Sequence, residues 1–357
     1  MCRGLFAFSE VVRMKRFVLV LAAISLVAGA CSSSETRARG SEGVLRLGIF
    51  PNLTHAPGYV ALEEGIFEET LPGVEVDVTY FNSGSDAGAA ISSGSIDATY
   101  IGPGPATALY LAPESTVAVV SGVASGGASF VVRTGAGISS PEDLAGKKIG
   151  VPGIGNTQDV ALRTWLREQG LEANDVGGEV DVLEVDNPEL LGLFEAGHLD
   201  GAWEPEPWPS LLVSEGVAEP FVDEADLWPD GDFVTTVLLV NTTFMESQPD
   251  LVRGLVEANV RAIERIDQEP DTAKASAQAG LIQAGAPSLD QAVIDAAWEK
   301  LTFTWDPIAS SLARGAADAY ALGYLEAQPT DMSGLFQLDL LNGVLGEMQV
   351  PVIEVVL

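Results

Sequence analysis

Two stretches about a hundred residues apart repeat one short pattern: "SGSIDATYIGPGP" from Ser93 to Pro105 and "AGHLDGAWEPEP" from Ala196 to Pro207. Each copy has a Gly three residues before an Asp, an aromatic residue three after it, and then two prolines separated by one residue. Both stretches are typical of a strand that ends in a Gly/Pro corner. The repeat therefore predicts two copies of one structural unit.

Strand and helix patterns alternate in the same order around each copy. The first series is "VLRLGIF", "GYVALEEGIFEE", "VEVDVTYF", "SDAGAAISSG" and "IDATYIG", and the second is "KKIGVP", "TQDVALRTWLREQG", "VDVLEV", "NPELLGLFEAG" and "LDGAW". This order predicts parallel pairing with right-handed crossovers, and hence two similar α/β lobes. In open parallel sheets, ligands bind beyond the carboxyl ends of the strands, where we expect the Gly/Pro corners to lie.

Two extended segments join the predicted lobes. "GASFVVRT" (127–134) leads out of the first lobe, and "FVTTVLLVN" (233–241) leads back, so that the chain crosses twice and forms a hinge. Helical patterns follow near residues 249–266, 271–283, 288–301, 309–325 and 333–347. We therefore predict an α/β fold in which residues 44–132 and 236–357 form lobe 1, with a helical C-terminal segment, and residues 133–235 form lobe 2.

The N-terminal segment has the layout of an export signal. Lys15 and Arg16 precede the apolar run "FVLVLAAISLVAGA", which ends in small residues just before Cys31. We interpret residues 1–30 as the signal, with Met14 as an alternative start, and residues 31–43 as a polar linker. Because the residues before Cys31 resemble the bacterial lipobox, we predict that Cys31 is the site of lipid attachment; ordinary cleavage of the signal is the alternative.

Charge and composition exclude several functions. The chain has 51 acidic and 18 basic residues, a formal net charge of −33, which disfavours nucleic acid and anionic lipid as partners. It contains two histidines and two cysteines, and no Gly-x-Ser-x-Gly motif. "GVPGIGNTQ" lacks both the third Gly of a dinucleotide fingerprint and the Gly-Lys-Ser/Thr of a P-loop. We therefore predict no catalytic residue, metal or cofactor.

Six stretches, in this order, are similar to solute-binding proteins of ABC importers, in the branch that takes nitrate, sulfonate and taurine. They are "GIFPNLTHAPGYVALEEGIFEE", "GSIDATYIGPGPA", "SGGASFVVR", "DLAGKKIGVPGIGNTQD", "GHLDGAWEPEPW" and "FVTTVLLVNTTFMESQPDLV". The resemblance covers most of residues 44–265. It implies the type II periplasmic-binding-protein fold and a monomeric, extracytoplasmic receptor that delivers a small solute to an ABC permease and its ATPase.

The predicted ligand site consists of loops that offer backbone N–H groups and short polar side chains. A small anion can be held by such groups and by helix N-termini, although the same residues are also common as N-caps and in turns. The predicted ligand-binding residues are Asn52, His55, Ser83, Gly84, Ser85, Gly104, Pro105, Ala106, Ser125, Gly126, Asn156, Thr157, Gln158, Trp203, Glu204 and Thr235.

The second corner contains residues with less certain roles. Trp203 and Trp208 could provide apolar planes for an organic tail or cover the core. We expect Glu204 to accept a hydrogen bond from an amine or a hinge group, and Glu206 and His198 to lie at the surface. An aliphatic sulfonate is the favoured ligand over taurine, nitrate or bicarbonate, and a pyrimidine precursor. The alternatives from other classes are an enzyme on the same fold that makes a thiamine or menaquinone precursor, and a sensor module.

Overall fold

The computed structural model describes residues 43–357, and the predicted signal, Cys31 and most of the linker lie outside this range. The strands are β1 Val44–Ile49, β2 Glu75–Tyr80, β3 Ala98–Ile101, β4 Val117–Gly126, β5 Ala128–Arg133, β6 Lys148–Val151, β7 Asp181–Glu184, β8 Gly201–Pro205, β9 Ala218–Asp223, β10 Val234–Asn241 and β11 Leu301–Phe303. The helices are α1 Ala56–Glu63, α2 Ile66–Thr70, α3 Gly84–Ser92, α4 Pro103–Leu111, α5 Thr157–Glu168, α6 Leu190–Glu195, α7 Trp208–Ser214, α8 Thr242–Ser247, α9 Pro249–Gln268, α10 Pro270–Gln283, α11 Gln291–Trp298, α12 Ala309–Ala321 and α13 Asp339–Glu347. Within residues 43–357, no helix combines the length and the apolar character needed to span a membrane.

The two sheets share one topology. Lobe 1 contains a six-stranded sheet in the order β11-β4-β10-β3-β1-β2, and lobe 2 contains a five-stranded sheet in the order β7-β6-β8-β5-β9. In each, the first strand of the repeat pairs in parallel with the next two, as β1 does with β2 and β3, and β6 with β7 and β8. An antiparallel strand then joins the third, β10 beside β3 and β5 beside β8. The prediction of two similar α/β lobes with parallel strand-helix-strand units is confirmed.

The aspartate of the repeat has the same structural role in both lobes. Asp97 Oδ2 accepts a hydrogen bond from the backbone N–H of Arg46 at 2.9 Å, and Asp200 Oδ2 accepts one from the backbone N–H of Lys148 at 3.1 Å. Each aspartate also pairs with an arginine, Asp97 with Arg46 and Asp200 with Arg133. Both aspartates precede their strands, at the edge of the sheet opposite the Gly/Pro corners. The repeated aspartate thus anchors neighbouring strands and does not face a ligand.

The crossing between the lobes lies earlier in the chain than predicted. β4 belongs to the six-stranded sheet and ends at Gly126, whereas β5 begins at Ala128 in the five-stranded sheet. Gly126 and Gly127, at this crossing, have φ values of +75° and +69°. This region of backbone conformation favours glycine, because glycine has no Cβ. The predicted division after residue 132 therefore falls within a strand of lobe 2. The return crossing precedes β10, which begins at Val234.

The C-terminal segment is mostly helical, with one strand that the sequence did not indicate. The predicted helix over 288–301 is shorter, because α11 ends at Trp298 and β11 follows as an edge strand beside β4. Among the helices, α9 packs against α1 and β4, and α12 contacts both α4 of lobe 1 and α5 of lobe 2. The tail therefore contributes to the junction between the lobes.

A cleft between the two lobes as the candidate functional site

A cleft lies between the lobes, at the carboxyl ends of the parallel strands. Its lining residues are Phe50, Asn52, Thr54, His55, Asn82, Gly84, Gly102, Pro105, Pro152, Asn156, Thr157, Gln158, Pro205 and Thr235. These residues lie in the segments that follow β1, β2, β3 and β6, including the first residues of α3, α4 and α5, at the end of β8 and near the start of β10. None of them carries a carboxylate, an ammonium or a guanidinium group. The cleft is therefore a neutral polar site with apolar walls.

The N-termini of two helices lie at the cleft, where Gly84 begins α3 and Thr157 begins α5. The N–H groups of Gly84 and Ser85 in the first turn of α3 have no acceptor within residues 43–357, and the same holds for Thr157 and Gln158 in α5. The first N–H groups of a helix have no partner in the helix itself, and they form its positive end. Because α3 belongs to lobe 1 and α5 to lobe 2, an anion between them would receive donors from both lobes.

The "GPGPA" corner does not supply the donors that the sequence suggested. Pro105 has no N–H, the N–H of Gly104 donates to Thr157 Oγ1 at 3.1 Å, and the N–H of Ala106 donates to the carbonyl of Gly102 at 3.2 Å. The expected donors at residues 104–106 are therefore occupied or absent. This corner forms a wall of the cleft and a contact between the lobes.

Further contacts between the lobes surround the cleft. The side-chain amide of Asn82 donates to Asp186 Oδ2 at 3.2 Å. On the far side, the hydroxyl of Tyr324 donates to Asp159 Oδ2 at 2.5 Å. Together with the contact between Gly104 and Thr157, these hydrogen bonds join lobe 1 to lobe 2, so that the structure represents lobes in contact with each other.

The Asn52 side chain joins the cleft to a buried polar cluster of lobe 2. Its Oδ1 accepts hydrogen bonds from Trp208 Nε1 and from the amide of Asn187, both at 2.9 Å. The Asn187 amide in turn lies 3.1 Å from Glu204 Oε2. Because the Oδ1 of Asn52 is bound by lobe 2, its NH₂ group is the part that remains for the cleft.

His55 is a neutral component of the cleft wall. Its side chain is buried beside Phe50 and Tyr100, with ring centroids 5.1 and 6.2 Å away, and burial lowers the pKa of His55 to about 3. Its Nδ1 has no hydrogen-bond partner within the described residues. At neutral pH the imidazole can therefore act as a neutral donor or acceptor and not as a cation.

The carboxylate nearest the start of α5 is already compensated. Asp159 is fully buried and accepts hydrogen bonds from the Arg163 Nε at 2.7 Å, the Gly155 N–H at 2.8 Å and the Tyr324 hydroxyl. Burial acts to lower the pKa of Arg163, but its hydrogen bonds to Asp175 and Asp159 together outweigh burial and raise this pKa above its ordinary value. The ion pair with Arg163 therefore offsets the negative charge that Asp159 would otherwise add near the α5 N-terminus.

Half of the predicted ligand-binding residues line the cleft, and the others have different positions. Asn52, His55, Gly84, Pro105, Asn156, Thr157, Gln158 and Thr235 lie on its wall. Ser85 and Gly104 lie on an adjoining outer cavity, whereas Ser83 caps α3, Ala106 is buried in α4, and Ser125 and Gly126 end β4 at the hinge.

The roles predicted for three residues of the second corner have different outcomes in the structure. Trp203 is not a ligand plane: it is buried in the core of lobe 2, stacked on Phe130 at 5.5 Å. Glu204 is fully buried behind the cleft wall and not on it. The expectation that Glu206 faces solvent is wrong, because this carboxylate is fully buried and accepts a hydrogen bond from Lys300 Nζ at 2.7 Å.

Sequence reasoning missed several residues of the cleft wall. They include Pro152 and Pro205, which the sequence pattern places at strand ends, and Thr54, which it places in a loop. Both prolines follow the repeated strand positions, in "GVP" and "EPEP", so the internal repeat was the available signal. His198 is at the surface, as expected.

The family model described as the NMT1-like family matches residues 40–282, which is more than half of the chain. The chain belongs to the NMT1-like family. The resemblance to the nitrate, sulfonate and taurine branch of solute-binding proteins is thereby confirmed.

Two of the relatives are named as solute-binding or binding proteins. A Brucella abortus protein named as a binding protein is 32% identical over 199 residues, which are 55% of this chain and 58% of that protein. The taurine-binding periplasmic protein of Escherichia coli is 27% identical over 217 residues, 60% of this chain and 64% of that protein. The matches thus span less than two thirds of these relatives' own length.

A solved structure shows the same fold. The alkanesulfonate-binding protein of Xanthomonas axonopodis pv. citri, bound to MOPS, superposes with a TM-score of 0.68 at 18% identity, covering 80% of this chain and 95% of that one. The predicted two-lobed periplasmic-binding-protein fold is therefore confirmed. These proteins are binders, in agreement with the prediction that the chain is a binding protein and not an enzyme.

Proposed function

We propose that the protein is the extracytoplasmic solute-binding receptor of an ABC importer, and that it captures an aliphatic sulfonate between its lobes. One observation carries this proposal. N–H groups without an acceptor in residues 43–357, at Gly84 in α3 and at Thr157 and Gln158 in α5, belong to residues that line a cleft without charged side chains. The names of the taurine and alkanesulfonate binders among its relatives point to the same class of solute.

An anion suits this cleft better than a cation does. The helix N-termini supply partial positive charge. The side-chain amides of Asn156 and Gln158 have no hydrogen-bond partner within residues 43–357. A lining carboxylate would oppose an anion, but the nearby Asp159 is paired with Arg163. An oxyanion would thus be held by short contacts to neutral donors.

A carbon chain is favoured by the apolar part of the site. Phe50, Pro105, Pro152 and Pro205 line the cleft, and an outer cavity opens beside it. The outer cavity is lined in part by Leu109, Ile154, Ala319 and Leu325, and it shares Gly84, Pro105 and Asn156 with the cleft. A sulfonate head could therefore occupy the cleft while its alkyl chain extends into the outer cavity, whereas nitrate would leave this cavity unfilled.

Binding assays with matched solutes test the choice of ligand. Isothermal titration is done with butane-1-sulfonate, butan-1-ol and butan-1-amine, which share a chain and differ in their head group, and with taurine and nitrate. We expect one solute per protein, and butane-1-sulfonate to bind at least about tenfold more tightly than the alcohol or the amine. Preference for the amine, or equal affinity for all three, would contradict an anion site.

Export, anchoring and delivery belong to the same proposal. An importer receptor must be outside the cytoplasm, and the sequence before Cys31 favours a lipid anchor there. We expect Cys31→Ala to move the protein from the membrane fraction to the soluble fraction. Persistence at the membrane after a salt wash would contradict the anchor. The solutes should also be recovered unchanged after incubation, because protein-dependent conversion would favour the enzyme alternative.

A further inference from the structure

Three buried side chains form a row from the interior of lobe 2 to the cleft. Glu204, Asn187 and Asn52 are 0%, 3% and 8% exposed. The amide of Asn187 lies between the other two, 2.9 Å from Asn52 Oδ1 and 3.1 Å from Glu204 Oε2. Only Asn52 lines the cleft. The hydrogen bonds of this row therefore determine whether the Asn52 side chain presents its NH₂ group or its carbonyl oxygen to the cleft.

One arrangement of the row needs a proton on Glu204. When Asn187 Nδ2 donates to Asn52 Oδ1, the Asn187 oxygen lies 3.1 Å from Glu204 Oε2. Two oxygens at that distance in a buried place need a hydrogen between them, which a protonated carboxyl supplies. Asn52 Oδ1 then accepts from Asn187 and Trp208, and the Asn52 NH₂ group is presented to the cleft as a donor.

The other arrangement suits an ionised Glu204. With its amide rotated by half a turn, Asn187 donates to Glu204 Oε2 at 3.1 Å, and its oxygen accepts from Trp208 Nε1 at 3.1 Å. The Asn187 oxygen then lies 2.9 Å from the Asn52 atom that was its acceptor. Asn52 must therefore rotate its amide as well, and the cleft receives a carbonyl oxygen, which is an acceptor.

We propose that Glu204, Asn187 and Asn52 form a relay in which a proton on Glu204 makes the cleft wall a hydrogen-bond donor. Glu204 is thus a positioning residue that sets the selectivity of the site for anions without touching the solute. The inference rests on the proposed function, because it explains how a receptor with a carboxyl behind its cleft can accept an anionic solute.

The surroundings of Glu204 favour the protonated form. Burial raises the pKa of Glu204 well above its usual value. The charged and titratable groups near Glu204 in sequence or in the same polar cluster are Glu206, which directly follows β8, its partner Lys300, Asp186 beside Asn187, and His55 on the cleft wall. Lys300 is bound to Glu206 and His55 is neutral, so neither provides the counter-charge that would ionise Glu204.

Two variants separate the relay from a structural role of Glu204. Glu204→Gln keeps an NH₂ group that can donate to Asn187 as the protonated acid does, whereas Glu204→Leu has a similar size and no hydrogen bond. We expect the Gln variant to bind butane-1-sulfonate within about threefold of wild type near pH 6.5, and the Leu variant about tenfold more weakly. Burial raises the pKa of Glu204, so wild type should lose affinity as pH rises through the point where Glu204 ionises, above the ordinary range of a glutamate, while the Gln variant should show no such step.

A readout without solute keeps the test independent of the proposed function. The side-chain NH₂ signals of Asn187, assigned with Asn187→Asp, should shift in wild type as an alkaline pH titration ionises Glu204, and remain constant in Glu204→Gln. Equal affinities of the Gln and Leu variants, or the same pH profile in wild type and the Gln variant, would overturn the relay. If wild type binds no sulfonate, the proposed function fails instead, and the Asn187 signals alone decide on the relay.

Discussion

The two Gly/Pro corners of the repeat share an anchor and differ in what they present. In both, an aspartate holds the backbone of the neighbouring strand, Asp97 in lobe 1 and Asp200 in lobe 2. Beyond the strand, the first corner, "GPGP", is neutral and contacts Thr157 of the other lobe. The second corner, "EPEP", buries two carboxyls.

This difference shows how one repeated unit can be used in two ways. The first corner brings its backbone close to the other lobe, because a Cβ on Gly104 would lie 3.0 Å from the Thr157 nitrogen. The second corner joins lobe 2 to lobe 1 through its backbone, where the Glu206 carbonyl accepts from the Leu53 N–H at 2.8 Å, and through a buried side chain, with the Glu206 carboxylate bound to Lys300. Replacements in the two corners should therefore have different consequences, the second for stability and the first for binding.

The largest effect is expected where a buried charge loses its partner. Lys300→Met leaves Glu206 fully buried without its ion pair, and breaking such a pair costs about 3–5 kcal/mol of unfolding free energy. Lys274→Met is the control, because its partner Asp295 is largely exposed, and it should cost less than about 1 kcal/mol. Urea denaturation near pH 8 measures both.

The pH dependence of this variant has a definite sign. Burial raises the pKa of Glu206, and Lys300 opposes this shift. The folded protein without Lys300 should therefore bind a proton on Glu206 more tightly than the unfolded chain does, so stability decreases as pH rises above the ordinary pKa of a glutamate. The difference between Lys300→Met and wild type should become smaller near pH 5. A difference that grows on acidification would show that Glu206 is not the cause.

The two anchoring aspartates, Asp97 and Asp200, should contribute unequally to the stability of the fold, because their carboxylates are buried to different extents. The carboxylate of Asp97 is 4% exposed and that of Asp200 is 20% exposed. We expect Asp97→Ala to lower the unfolding free energy by about 3 kcal/mol and Asp200→Ala by about 1 kcal/mol. Asp97→Asn should recover part of the loss, since its carbonyl can still accept from the Arg46 N–H. Equal losses in the two lobes would contradict the distinction.

The internal repeat made the lobes predictable, because strand order and corner position follow from local pattern. It also placed Asn52, Asn156 and Thr157 near one site, since the carboxyl ends of parallel strands meet at one edge of a sheet.

Long-range partners account for what the sequence did not indicate. Glu206 was expected at the surface because its partner Lys300 lies 94 residues away and forms no local pattern. Trp203 was a candidate ligand plane because its burial depends on Phe130 in another strand. The donors expected at residues 104–106 were assigned without the contact to Thr157, which only the packing of the lobes creates.

A methyl group on the first corner should weaken binding more than it weakens folding. Gly104→Ala would place its Cβ against Thr157 of the other lobe, and overpacking of this kind costs about 1–3 kcal/mol. If the lobes close on the solute, the clash destabilises the closed, solute-bound arrangement. Affinity for butane-1-sulfonate should therefore decrease about tenfold. Gly192→Ala, whose Cβ would meet no atom within 4 Å, is the matched control. Unchanged affinity in Gly104→Ala would show that closure does not require this contact.

The smallest effect is expected for one neutral donor at the junction of the cleft and the outer cavity. Asn156 lines both cavities, and its side-chain amide has no partner within the described residues. Asn156→Ala therefore removes at most one hydrogen bond to the solute, and it should weaken sulfonate binding by about 0.5–1.5 kcal/mol. Ser85→Ala should weaken it less, because Ser85 lies on the outer cavity alone. Asn174→Ala is the control, since Asn174 bonds to Asp181 at the surface. We expect Asn156→Ala to weaken sulfonate binding more than Ser85→Ala at any salt concentration, because both donors are uncharged. A larger loss in Ser85→Ala than in Asn156→Ala would place the anionic head in the outer cavity instead of the cleft.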